Sequence, residues 1–283
     1  MAKTSLKTGR SLPGCYARGL RACGNKLTRE HYVSRSVLAQ LGNYGILGFP
    51  WQKSADLGEA GPGALASKIL CDRHNSLLSE VDQALGEVIA SLLLFRDPLT
   101  VPNDKRIVTV NGHQFERGLV KTLAGTYAAG LARRAEQLPP RNREPPRDWL
   151  HILFEGTTLS QPCGFYVYAG LGLEVEKMFG MVPLFDHLPI PRGADFRIAG
   201  YHFRLELRNP DRANLTSAAY RPSTIRFIRE TTSCELRFEW PDDSTQHQSM
   251  TAAWQGQTTG ASRHLLASLE VVRRQLEKTP SKR

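Results

Sequence analysis

The chain lacks any long uninterrupted run of apolar residues. Its best candidate, residues 88–95, is far shorter than the roughly 20 residues that a membrane-spanning helix needs. The first ten residues, MAKTSLKTGR, carry charge but none of the apolar core of a secretory signal. We therefore expect a cytoplasmic protein that does not associate with a membrane.

Cysteine is scarce, and its number is odd. The five cysteines and the absence of a secretory signal argue against a disulfide framework. Three of them, Cys15, Cys23 and Cys71, lie in the first quarter of the chain, close to histidines. This uneven distribution indicates a local metal site.

Acidic residues are absent from residues 1–29, which contain seven basic side chains. The whole chain has 37 basic and 27 acidic residues, a net charge of +10. A positive field of this size favours a polyanionic partner such as nucleic acid. The alternative is that the charge serves only solubility.

The length of 283 residues and the 41% of hydrophobic residues are typical of a folded protein with one large or two ordinary domains. Composition predicts four segments. They are an N-terminal module with a basic arm (1–97), a helical connector (98–138), a linker rich in proline and arginine (139–147) and a strand-rich C-terminal domain (148–283).

Local patterns refine this division. We expect a short hairpin entering a helix near Ser34, a loop over 42–66, and an extended piece leading into a helix over 67–95. Asn111-Gly112 predicts a tight turn between two strands, followed by a helix over 114–138. Further strands are expected at 151–156, 164–175, 194–207, 223–230 and 234–240, with a last helix at about 262–277.

Cys71-Asp72-Arg73-His74 has the spacing with which a helix start presents two zinc ligands. A tetrahedral site needs two more ligands. Cys23 precedes Gly24-Asn25, but three residues before it stands Leu20, and the nearest cysteine is Cys15. We expect a zinc site of Cys15, Cys23, Cys71 and His74. The alternative is a set of buried free thiols beside a core histidine.

Two segments resemble the HNH endonucleases, whose core is a zinc-stapled ββα-metal module. They are LTREHYVSRSVL (27–38) and KILCDRHN (68–75), and the resemblance extends over roughly residues 15–85. In that family an acid–histidine pair closes the first strand, and an Asn or His follows the last zinc ligand. The resemblance implies a catalytic set of Glu30, His31 and Asn75.

The roles that the resemblance implies fit the chemistry of phosphodiester hydrolysis. His31 suits a general base, while the oxygens of Glu30 and Asn75 suit a catalytic Mg²⁺ or Mn²⁺ ion. The zinc ion would be structural. Arg29 and Arg35 flank the base and either grip phosphates or form a solvated basic face.

One family feature is missing. The middle Asn that orients the base, about five residues before the third zinc ligand, has no counterpart in residues 65–68. Ser67 or a backbone carbonyl would have to replace it. Asp82 lies two helical turns after Asn75 and is either near the catalytic ion or a surface acid, with the surface interpretation slightly favoured.

The C-terminal half interleaves arginines with aromatic residues, for example Phe203-Arg204. This pattern suits either a nucleic-acid platform or strands with one buried and one solvated face. We predict an α+β protein that acts as a metal-dependent DNA endonuclease, in phage defence or mobile-element biology. The alternatives are a non-catalytic zinc-stabilised nucleic-acid-binding module and a protein-interaction adaptor.

Overall fold

The computed structural model describes residues 9–41, 44–47, 58–60, 65–132, 144–168, 178–198, 200–210, 215, 218–241, 243 and 248–253. Within these residues the chain is a mixed α+β structure rich in antiparallel strands, in agreement with the predicted class. No described helix is both long and apolar enough to cross a bilayer. The predicted last helix and residues 139–143 of the predicted linker lie outside the described residues.

The described helices and strands follow in chain order. The helices are α1 (Arg35–Leu41), α2 (Asp72–Leu77), α3 (Ser79–Leu94), α4 (Gly112–Ala128) and α5 (Arg147–Glu155). The strands are β1 (Leu27–His31), β2 (Tyr44–Leu47), β3 (Gly58–Ala60), β4 (Ala66–Cys71), β5 (Ile107–Asn111), β6 (Gly164–Tyr168), β7 (Met178–Leu184), β8 (Gly193–Ile198), β9 (Tyr201–Glu206), β10 (Ala218–Tyr220), β11 (Thr224–Arg229), β12 (Thr232–Glu239) and β13 (Ser249–Ala253).

The described strands form three sheets. β1 and β4 make an antiparallel pair, and a second sheet has the order β10-β6-β9-β8-β7-β2-β3. The third sheet has the order β13-β11-β12-β5. Most pairs are antiparallel, whereas β2–β7, β11–β13 and β12–β5 are parallel.

The chain from β4 to α3 follows the hydrophobic pattern. Cys71 ends β4 and caps α2, its sulfur accepting from the backbone N–H of His74. Buried Val81, Leu85 and Val88 recur at the spacing of one helix face in α3. The predicted helix is therefore confirmed, with a break at Leu78 between α2 and α3.

Helix α4 lies at the centre of the described structure and is buried on nearly every side. Its apolar residues, such as Phe115 and Leu119, belong to one continuous core cluster. That cluster includes residues from β4 as well as from the strands beyond residue 160, and Leu27 of β1 packs against it. Two charged residues of α4, Glu116 and Lys121, are buried with them.

The predicted hairpin turn at Asn111-Gly112 is wrong, because these residues begin α4. The Asn111 side chain accepts a hydrogen bond of 3.0 Å from the Gln114 N–H and caps the helix. A Cβ on Gly112 would lie 2.6 Å from the Trp240 ring, so packing requires glycine there. Asn and Gly thus serve a helix start, and only the first of the two strands, β5, forms.

Several other local predictions need correction. The helix predicted over 114–138 ends at Ala128, just before Gly130 with its positive φ of 77°. Residues 42–66 contain β2 and β3 rather than only a loop. Residues 151–156, predicted as a strand, belong mostly to α5, whose buried Leu150, Leu153 and Phe154 follow helical spacing. β1 pairs with the distant β4 instead of forming a local hairpin. The strands predicted over 223–230 and 234–240 are confirmed by β11 and β12, and the described part of 164–175 by β6. The single strand predicted over 194–207 is instead two antiparallel strands, β8 and β9.

Candidate metal centre and the adjoining acid–lysine cluster

Four side chains that are far apart in sequence meet at one end of the β1–β4 pair. Cys15 and Cys23 flank a short 3-10 turn at Arg18–Leu20, Cys71 ends β4, and His74 lies in α2. All four side chains are buried, and their ligand atoms lie within 4.8 Å of one another. The stretched first pair, Cys15 with Cys23, therefore does reach the Cys-x2-His pair.

The distances within this cluster suit a tetrahedral metal ion. His74 Nδ1 lies 3.1 Å from the sulfur of Cys71, 3.5 Å from that of Cys15 and 3.9 Å from that of Cys23. Tetrahedral zinc bonds of typical length place sulfur and nitrogen ligands about 3.6 Å apart. The cluster can therefore bind a metal ion such as zinc.

Backbone N–H groups point at the sulfurs, as expected for thiolate ligands. The Gly24 and His74 N–H groups donate to Cys71 Sγ at 3.3 and 3.4 Å, and the Cys71 N–H donates to Cys15 Sγ at 3.4 Å. These dipoles favour negative charge on sulfur. A Cβ on Gly24 would lie 1.9 Å from Asp72 Oδ1, so a larger residue there would displace the Asp72 side chain.

Burial sets the protonation of the ligands. It raises the pKa of both Cys15 and Cys23, and it lowers that of His74 to about 4, with a smaller effect from Arg73. His74 is therefore a neutral imidazole at physiological pH, ready to bind a metal through nitrogen. The buried thiols need a cation beside them to ionise, which is what a bound zinc ion supplies. Phe154 of α5 covers the His74 ring, with centroids 4.8 Å apart.

The end of β1 carries the acid–histidine pair. Glu30 is 3% exposed, and its Oε1 lies 2.7 Å from Nζ of Lys121 in α4. Lys121 also donates to Asp82 of α3. Burial raises the pKa of Glu30, although the nearby positive charge of Lys121 opposes that rise.

His31 is only partly exposed. Burial lowers its pKa, and the positive charges of Lys121, Arg35 and Arg29 act in the same direction. The neutral form of the His31 ring, which can accept a proton, is thereby favoured. Arg29 and Arg35 themselves are exposed on either side of it in sequence.

Asn75 ties α2 to β1. Its Nδ2 donates a 3.1 Å hydrogen bond to the hydroxyl of Thr28, two residues before Glu30 on the same strand. Ser67 is the cross-strand partner of Glu30, and its hydroxyl is hydrogen-bonded to that of Tyr32. The hydrogen bond of Ser67 thus goes to Tyr32 rather than to His31, the role that the missing Asn would have.

Sequence reasoning missed Lys121 and gave Asp82 too small a part. Asp82 is not a plain surface acid, since its side chain is 29% exposed and is ion-paired with Lys121. The signal for Lys121 was a lone cation in the otherwise apolar run GLVKTLAG. In the C-terminal half, Arg204 and Arg221 bind Asp195 and Glu116, so these two arginines serve internal ion pairs.

Comparison of the chain with protein-family models, with curated proteins and with solved structures finds no match.

Proposed function

We propose that the chain is a zinc-stabilised nuclease of the HNH type, which hydrolyses phosphodiester bonds in DNA with Mg²⁺ or Mn²⁺. One observation carries the proposal. β4 and α2, which carry Cys71 and His74 of the metal cluster, also contact β1, the strand that carries the acid–histidine pair. In this proposal β1, β4 and α2 are the ββα-metal core.

The chemistry assigned to each side chain follows from its atoms. His31 accepts a proton from the attacking water, while the carboxylate of Glu30 and the amide oxygen of Asn75 hold the divalent ion. Held by Glu30 and Asn75, such an ion would supply positive charge to stabilise the leaving oxygen. The zinc ion does no chemistry and fixes β4 and α2 in place.

The distribution of charge supports a nucleic-acid substrate. Residues 1–29 hold seven basic side chains and no acid, and the exposed Arg29 and Arg35 flank His31. Guanidinium groups bind phosphate oxygens in bidentate geometry, so these two arginines are well suited to contact a phosphate backbone next to the base.

A second candidate function is nucleic-acid binding without cleavage. Two observations favour it: Glu30 is buried and paired with Lys121, and residues 65–68 contain no Asn to orient the base. Such a protein would use the same zinc-stabilised elements as a scaffold and the same basic surface as its contact.

A plasmid-nicking assay separates the two candidates. We compare the zinc-loaded protein with His31→Ala, in Mg²⁺ or Mn²⁺ and in EDTA, and use His187→Ala as a control because His187 is exposed and is not one of the assigned site residues. We expect nicking that EDTA abolishes and that His31→Ala lowers by at least about 100-fold, the usual contribution of a general base.

Two results would contradict the nuclease. Equal nicking by the wild type and His31→Ala means a contaminant or a different site. Salt-sensitive binding without cleavage of plasmid, single strands or RNA by folded, zinc-loaded protein favours the second candidate.

A further inference from the structure

Lys121 places a positive charge between two carboxylates at the proposed catalytic site. Its ammonium lies 2.7 Å from Glu30 Oε1 and donates a hydrogen bond to Asp82. The Lys121 side chain is 2% exposed and that of Glu30 is 4% exposed. A buried ammonium is costly unless it is paired, so the two acids determine where the charge lies.

The contact between Lys121 and Glu30 is electrostatic rather than a well-aligned hydrogen bond. In the described structure Glu30 Oε1 accepts no hydrogen bond, although the Lys121 ammonium lies 2.7 Å away. The aligned bond of Lys121 goes to Asp82 instead. Glu30 Oε1 therefore retains lone pairs with which it can coordinate a divalent cation such as Mg²⁺.

The three groups together carry a charge of −1, from two carboxylates and one ammonium. A divalent ion that binds Glu30 must approach the ammonium, and in a buried setting this repulsion is weakly screened. A neutral amide such as that of Asn75 adds an oxygen but no charge. Mg²⁺ sites of this kind are completed by phosphate oxygens from the substrate.

We propose that Lys121 is the resident cation of the Glu30–Asp82 pair, and that it keeps the pair from binding a divalent ion tightly until a DNA phosphate supplies further oxygens. This inference rests on the proposed nuclease function. Lys121 is then a positioning residue. It lies in α4, outside residues 15–85, which resemble the nuclease family. Asp82, with 29% of its side chain exposed, leaves one side of the cluster open to an entering ion.

The test measures Mn²⁺ binding to the zinc-loaded full chain in the absence of DNA, by the electron paramagnetic resonance signal of free Mn²⁺. Lys121→Met keeps most of the side-chain volume and removes the ammonium. We expect its Mn²⁺ affinity to exceed that of the wild type by on the order of tenfold or more, because a unit charge a few ångströms from the ion is removed.

Two matched variants show whether the gain comes from this site. Lys105→Met removes the same charge at an exposed position and should leave Mn²⁺ affinity unchanged. The double variant Glu30→Gln with Lys121→Met should lose the gain, because the carboxylate that receives the ion is gone.

Lys121→Met leaves a buried carboxylate without its partner and is expected to be less stable. Thermal unfolding with and without Mn²⁺ therefore accompanies the titration. Mn²⁺ should raise the melting temperature of Lys121→Met more than that of the wild type. If Lys121→Met does not fold, His31→Ala provides the test, since its Mn²⁺ affinity should rise on adding duplex DNA.

The outcomes separate the two proposals. Mn²⁺ affinity that is equal in folded wild type and Lys121→Met overturns the inference, even if the wild type nicks DNA. Tight Mn²⁺ binding by the wild type without DNA overturns it as well. If the titrations agree with expectation but no substrate is cleaved, the resident-cation role stands and the nuclease proposal fails.

Discussion

Helix α4 contributes to two buried ion clusters that differ in how completely they are closed. Glu116 and Lys121 lie five residues apart, which places them about 140° apart around the helix axis. Glu116 belongs to a cluster with Arg221 and Asp243, and Lys121 to the cluster with Glu30 and Asp82. Both clusters join three distant parts of the chain.

The Arg221 cluster is saturated with hydrogen bonds. Arg221 binds Glu116 through Nε at 3.0 Å and Nη2 at 2.7 Å, and it also binds Asp243 at 2.8 Å. A second acceptor, the carbonyl of Leu159, lies 2.8 Å from Nη2, and Glu116 in turn accepts from the Phe165 N–H. A planar guanidinium with several partners has little freedom to respond to a ligand.

The Lys121 cluster is less complete. Its cation is a compact ammonium on a flexible stem, its contact with Glu30 lacks hydrogen-bond alignment, and Asp82 is partly open to solvent. The comparison teaches that burial of charge alone does not identify a functional site. The informative difference is whether each charged atom already has its full set of partners.

Loss of metal binding is expected to have the largest effect on the structure. It should disturb the Lys121 cluster but not the Arg221 cluster. Cys71→Ser is expected to abolish zinc binding and to loosen β1, β4 and the Glu30 ion pair, because structural zinc contributes roughly 10 kcal/mol or more in small zinc modules. Hydrogen exchange should rise in β1 and β4 but much less in β11 and β12.

The control for zinc removal is Cys163→Ser, at a half-buried cysteine outside the cluster. Zinc content by mass spectrometry should fall only in the Cys71 variant. A Cys71→Ser protein that retains a full equivalent of zinc, with native exchange in β1, would remove the metal centre from the proposal.

Disrupting the Arg221 cluster should have the next largest effect. It should change the free energy of unfolding and nothing else. Arg221→Met leaves Glu116 buried without a counter-charge and should cost about 3–5 kcal/mol in the free energy of unfolding, measured by urea denaturation. Divalent-ion affinity of the folded fraction should not change. A changed Mn²⁺ affinity in folded Arg221→Met would mean that the two clusters are coupled through α4.

The sequence predicted the residues of the metal cluster because local spacing encodes part of it. Cys71 and His74 sit at the spacing of one helix start, and a knuckle turn at Gly24 follows Cys23. Most of the described strands beyond residue 160 also followed from alternation of apolar and polar residues. These features could be predicted because they depend on residues that are close in sequence, or on a motif whose two segments are each recognisable.

The rest depended on contacts that are distant in sequence. Lys121 lies 91 positions after Glu30, and no local pattern connects the two residues. Asn111-Gly112 was ambiguous because Asn serves both tight turns and helix caps, and packing against Trp240 decided between them. Residues 151–156 were predicted as a strand, but Leu150, Leu153 and Phe154 are buried on one helical face together with Trp149.

The smallest predicted effect compares the third member of each cluster. Asp82→Asn should change the free energy of unfolding by about 1 kcal/mol or less. The ion pair between Asp82 and Lys121 is partly solvated, and in the variant Lys121 remains ion-paired with Glu30. Asp243→Asn should cost more, about 1–3 kcal/mol, because the Asp243 side chain is only 11% exposed and bonds a buried guanidinium. Parallel urea titrations of the two variants measure the difference. An equal or reversed order would show that the Lys121 cluster is as closed as its counterpart, and would remove the structural reason for assigning it a cation-handling role.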